Sequence, residues 1–69
     1  MITITLNGNN TRFDSNISIK QLLEHLDLIE KRLAVEVNQE IISHSNFESF
    51  ILNDLDRVEI VQAIGGGSR

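Results

Sequence analysis

The most chemically distinctive residues are Gly65-Gly66-Gly67, three consecutive glycines near the end of a 69-residue chain. Without β-carbons they form a thread narrow enough for a channel that side chains would block. They also lose more conformational freedom on ordering than any other residues. A chain ending on such a thread offers a terminal carboxylate, ionised at neutral pH because its pKa is about 3.3–3.7. That group can attack an activated phosphate held by a partner, so carboxyl activation is the chemistry that suits the tail. A disordered end or a linker has the same composition, and the tail alone does not separate the two.

No other residues form a comparable constellation. His25 and His44 are the only histidines and cysteine is absent, so no recognisable metal site and no disulfide framework is predicted. His44 lies among serines, but a serine and a histidine close in sequence do not make a triad, which depends on geometry. His25 falls on the polar side of a predicted helix. Neither is assigned a role. A chain this short has little material for walls around a substrate pocket of the usual volume, about 300 Å3 or more. A carrier or binding domain is therefore expected, not an enzyme.

The thread must be held by something rigid. Ile2, Ile4 and Leu6 alternate with Thr3, Thr5 and Asn7, the period of a strand with one buried face. Asn7-Gly8-Asn9 reads as a tight turn, and Thr11 to Phe13 as a short antiparallel partner. Ser18 is placed to cap a helix, Gln21 completes a capping box, and Ile17 can staple to Leu22. Ile19, Leu22, Leu23 and Leu26 then make one apolar stripe that runs out near Leu28. Leu33, Val35 and Val37 mark a third strand. Asn38-Gln39-Glu40 reads as a turn into a short strand at Ile41-Ile42, and Ser43 to Asn53 as irregular or briefly helical, anchored by Phe47 and Phe50. Asn53 to Asp56 turns into a last strand from Arg57 to Ile64, where Val58 and Ile60 share a face.

This order predicts an α+β domain over residues 1–64, a β-grasp with a mixed four- to five-stranded sheet packed on one main helix. The first and last strands would run parallel in its centre, with residues 65–69 as a glycine-rich tail. Val61, Ala63 and Ile64 put apolar atoms on the face away from Val58 or near the exit, where they suit a partner-docking patch. A bulge that turns them inward is the alternative. Ten acidic against six basic residues, with Lys31-Arg32 the only adjacent pair, leave a net charge of −4. That disfavours nucleic acid and suits a basic protein partner. The N-terminus lacks a signal-peptide pattern and no stretch is long and apolar enough to span a membrane, so a cytoplasmic protein without membrane contact is expected.

The opening strand with Asn7-Gly8, Ile19-Lys20-Gln21-Leu22-Leu23, the run from Leu33 to Ile42, and Asp56 through Val58 and Ile64 to Gly67 together resemble the ThiS family. These are the ubiquitin-like sulfur-carrier proteins of thiamin biosynthesis, and the likeness covers essentially the whole chain. The resemblance implies a non-catalytic carrier with no bound cofactor. Its C-terminal glycine would be adenylated with ATP by a ThiF-type enzyme and converted to a thiocarboxylate with sulfur from a desulfurase acting on cysteine. A ThiG-type thiazole synthase would then receive the sulfur. Gly67 would be the charged residue, with Gly65 and Gly66 as the thread and Val61, Ala63 and Ile64 as the docking patch.

Two departures accompany the resemblance. Ser68-Arg69 follow Gly67, and an interior glycine has no carboxylate to activate, so the reading expects either proteolytic trimming or a remnant of expression. Leu55 stands where the family's turn usually carries glycine between two acidic residues, an expected effect on local turn geometry. The alternatives are a carrier like the small subunit of molybdopterin synthase, whose members are usually longer and carry prolines absent here, a ubiquitin-fashion conjugating tail, and a plain ubiquitin-like interaction module.

Overall fold

A computed structural model describes residues 1–29 and 31–62. Strand β1 (Ile2–Leu6) pairs antiparallel with β2 (Asn9–Phe13), helix α1 (Ile19–His25) follows, and β3 (Leu33–Val37) pairs antiparallel with β4 (Glu40–Ile42). A 3-10 turn at His44–Asn46 precedes β5 (Arg57–Gln62). The sheet order is β2-β1-β5-β3-β4, so β5 enters last and lies in the middle, parallel to β1 and antiparallel to β3. This is the predicted β-grasp, with five strands.

Both hairpins are tighter than the sequence suggested. Asn7 and Gly8 have φ of 48° and 86°, and Asn38 and Gln39 have 53° and 72°. Two left-handed residues make the turn whose twist matches the flanking strands. Two residues therefore close each loop. β2 begins at Asn9, two residues before the predicted Thr11, and β4 begins at Glu40.

Helix α1 starts as its capping signals require. The Gln21 N–H donates to Ser18 Oγ at 3.0 Å and the Ser18 N–H donates to Gln21 Oε1 at 2.9 Å. It ends without a glycine. Asp27 takes the left-handed conformation (φ 61°), the Leu28 N–H donates to the Leu23 carbonyl at 2.8 Å, and the Asp27 N–H donates to the Glu24 carbonyl at 3.1 Å. Those two bonds make a Schellman cap, and they bring Leu28 back against the core.

The core joins Ile2 and Ile4 of β1, Leu33, Val35 and Val37 of β3, Val58 of β5 and Ile19, Leu22 and Leu23 of α1. Phe47 and Leu52 close it from the irregular segment, with Phe50, Ile17 and Leu26 packed at its margin. Each fully buried Ile or Leu contributes about 1.5–3 kcal/mol, which is how one sheet face against one short helix suffices. The other sheet face, carrying Ala34, Glu59 and Val61, is exposed.

Candidate functional site

β5 is the strand that carries the tail, and both of its edges are held. Along β3 the ladder runs without interruption from Val37↔Val58 to Leu33↔Gln62. That regular register rules out a bulge at Val61, which remains 60% exposed beside the exposed Ala34. Ala63, Ile64, Gly65, Gly66 and Gly67, with Ser68 and Arg69, lie outside the described residues.

On the open face the Ala34–Val61 pair adjoins Glu36 directly opposite Glu59, and Glu36 also pairs with Ile41, which is 70% exposed. Like charges facing one another across a ladder are mildly destabilising. The face thus combines an exposed apolar pair with two acidic side chains.

On the core side of the exit, Leu6, Asn7, Asn9, Leu26, Leu28, Ile60 and Gln62 line an open groove of about 320 Å3. The volume reaches that of a substrate pocket, which the length argument did not anticipate. Among the described residues its lining contains no ionisable side chain, so these residues supply no acid or base.

The two histidines serve packing. His44 Nε2 donates to the Leu33 carbonyl at 2.9 Å, and its ring stacks on Phe47 with centroids 4.6 Å apart. His25, expected simply in solvent, is exposed but meets the Phe13 ring edge-on at 5.5 Å. Among the described residues no three His, Cys, Asp or Glu groups come together to hold a metal, and no helix is long and apolar enough to cross a membrane.

Sequence reasoning missed two side chains that grip β5. Asn7 Oδ1 accepts from the Ile60 N–H at 2.7 Å and its Nδ2 donates to the Ile60 carbonyl at 3.3 Å. Asn38 Oδ1 accepts from the Arg57 N–H at 3.0 Å, and its Nδ2 donates to Asp56 Oδ1 at 3.1 Å. The available signal was Asn as the first residue of each two-residue turn, but the partners lie 53 and 19 residues away in sequence.

Comparison with known proteins agrees with this architecture. The sulfur carrier protein ThiS of Bacillus subtilis is 35% identical over 65 residues, covering 93% of this chain and 98% of that protein. A thiazole synthase of Paramagnetospirillum magneticum is 37% identical over 65 residues, which are 94% of this chain but only 20% of the longer protein. The crystal structure of the thiamine biosynthesis protein ThiS from Geobacter metallireducens superposes with a TM-score of 0.82 at 28% identity, covering 96% of this chain and all of that one. The sequence model of the ThiS family matches residues 4–67, and with this fold the chain belongs to the ThiS family.

Proposed function

We propose that the protein is a sulfur carrier for thiazole formation in thiamine biosynthesis, with Gly67 as the residue that bears the sulfur once Ser68-Arg69 are removed. The carboxylate oxygen of Gly67 attacks the α-phosphorus of ATP on a ThiF-type enzyme and pyrophosphate leaves. A desulfurase-derived persulfide then attacks the adenylated carbonyl and AMP leaves, and a thiol cleaves the resulting acyl disulfide to release a new disulfide and the thiocarboxylate. A ThiG-type thiazole synthase receives it. All catalytic groups belong to the partners.

The observation that carries this reading is the family match, which runs from residue 4 through β5 and takes in Gly65, Gly66 and Gly67. Two further features support it. A thiazole synthase carries a segment like this chain, and the face with Ala34, Val61 and Glu59 suits an approaching basic surface. Ala63 and Ile64, next in sequence, are assigned to the same patch on their apolar character.

The test is to incubate a chain ending at Gly67 with ATP, a ThiF-type enzyme and a sulfur source, and to record the intact mass. Exchange of one oxygen for one sulfur is expected for that chain, and no change for the chain that keeps Ser68-Arg69. Failure of the trimmed chain to form an adenylate with any such enzyme contradicts the proposal.

A further inference from the structure

Of the seven asparagines only Asn7 is followed by glycine. Such a pair can cyclise, the reaction that makes asparagine a thermolabile residue. The Gly8 amide nitrogen, once deprotonated, bonds to the Asn7 carboxamide carbon, the Cγ–Nδ2 bond breaks, and ammonia leaves with the proton to give a five-membered imide. Water then adds to one of the two imide carbonyls and opens the ring, either to aspartate or to isoaspartate, in which the main chain runs through the side-chain carboxyl. Every other asparagine precedes a residue whose β-carbon crowds the attacking nitrogen; glycine has none.

The nucleophile is accessible. Asn7 and Gly8 are both exposed, and among the described residues no group accepts from the Gly8 N–H. A β-carbon built on Gly8 would meet nothing within 4 Å, so the space around the turn is open.

What opposes the reaction is the direction of the carboxamide. Ring closure requires Asn7 Cγ to fold back onto the nitrogen of the next residue. Instead Asn7 Oδ1 accepts from the Ile60 N–H at 2.7 Å and Nδ2 donates to the Ile60 carbonyl at 3.3 Å. The Asn7 backbone is held as well, at φ of 48° and by the 2.9 Å bond from its N–H to the Val58 carbonyl. The two side-chain bonds lie on the β1-facing edge of β5, beyond the last parallel pair Leu6↔Val58. They can therefore open while the ladder from β5 to β3 stays closed.

We propose that Asn7-Gly8 is a deamidation site gated by the fold: the Asn7 carboxamide is unreactive while clipped to Ile60 and cyclises from the fraction of molecules in which that clip is open. The change runs one way. Aspartate at position 7 keeps an acceptor for the Ile60 N–H but sets a second carboxylate oxygen against the Ile60 carbonyl. Isoaspartate adds a methylene to the main chain inside a two-residue turn. Either product loses part of the clip and carries one more negative charge. Asn38 is the internal control, since its Oδ1 accepts from the Arg57 N–H at 3.0 Å but Gln39 follows it. The site stands on the folded body alone and is independent of the carrier reading.

The experiment incubates the full chain in buffer, in urea below the unfolding transition and in urea above it, at neutral and at mildly alkaline pH. Peptide mapping by mass spectrometry counts replacement of NH2 by OH at each asparagine, and labelling by an isoaspartyl methyltransferase counts isoaspartate. Amide exchange at Ile60 is read by NMR under the same folded conditions. Conversion should be confined to Asn7 and rise with pH, because the nucleophile is the deprotonated amide. It should be at least about tenfold slower in buffer than in the unfolded chain, in line with one or two hydrogen bonds. Below the transition it should rise in proportion to Ile60 exchange, with a shallower urea dependence than global unfolding. Gly8→Ala should lose most of the conversion seen above the transition. The purified converted chain should melt below the parent and exchange Ile60 faster.

Conversion of Asn7 as fast in buffer as in the unfolded chain overturns the proposal, because the clip then protects nothing. A urea dependence as steep as global unfolding also overturns it, by assigning protection to the fold as a whole. So does an Asn7 that survives in the unfolded chain, or a converted chain whose Ile60 exchange matches the parent.

Discussion

Replacing Leu55 by glycine should stabilise this protein, although it removes a large apolar side chain. Leu55 has φ of 73°, a conformation that costs an L-residue about 1–2 kcal/mol. The turn cannot relax away from it. The Leu55 N–H donates to the Thr3 carbonyl at 2.7 Å, the Thr3 N–H donates to Asp54 Oδ1 at 2.7 Å, and the Asn53 N–H donates to Asp56 Oδ2 at 2.8 Å. The side chain is 81% exposed, so almost no burial is lost with it. Glycine returns about 0.5–1 kcal/mol through the greater freedom of the unfolded chain, leaving a net gain of about 0.5–1 kcal/mol. For a domain of this size that raises Tm by about 3–6 °C. Thermal melts followed by circular dichroism, with a urea titration to show that the m-value is unchanged, measure it. The turn precedes β5 and the tail follows it, so the charging rate should not move. A lowered Tm would refute the reasoning, and so would an unchanged one, since either means that the backbone stores no strain at Leu55.

Four more perturbations follow from the same geometry. Asp27→Gly relieves the left-handed residue of the Schellman cap and should raise Tm by less than Leu55→Gly, because aspartate tolerates that conformation better. Ser18→Ala removes the hydroxyl that accepts from the Gln21 N–H, while alanine keeps the backbone N–H that donates to Gln21 Oε1, and should cost about 1 kcal/mol, read as a fall in Tm. Val61→Lys should weaken binding to the adenylating enzyme about tenfold, some 1.4 kcal/mol, while changing stability by less than about 0.5 kcal/mol, as calorimetry and melting together would measure. Glu59→Lys should separate stability from binding. It places opposite charges across the ladder with Glu36, adding a few tenths of a kcal/mol or more, yet it opposes a basic partner and should slow association.

The strand order and the helix were legible because their signals are local. Ile2, Ile4 and Leu6 show their period directly, and Ser18 and Gln21 carry the capping box in their spacing. Boundaries were less legible where structure contradicts propensity. Asn9 and Asn10 are poor strand residues, yet they pair through their backbones with Leu6 and Thr5, and Asp27 ends α1 in a conformation usually signalled by glycine. The short 3-10 turn at His44–Asn46 has no apolar period to reveal it. The grip of Asn7 on Ile60 was the hardest to foresee. The turn at Asn7-Gly8 can be read from two residues, but the bond it makes depends on the register of β5 against β1, which no local pattern encodes. Val61 was legible as an apolar residue of the wrong parity, and its exposure follows from the regular β3–β5 register.

The central claim is that sulfur travels on Gly67. Its most direct test charges the trimmed chain with isotopically labelled sulfur, purifies it, and supplies it as the only sulfur source to a thiazole synthase with its other substrates. The account predicts label in the thiazole product and recovery of the carrier as the free carboxylate. A thiazole formed without label, or a charged carrier that remains charged, contradicts it.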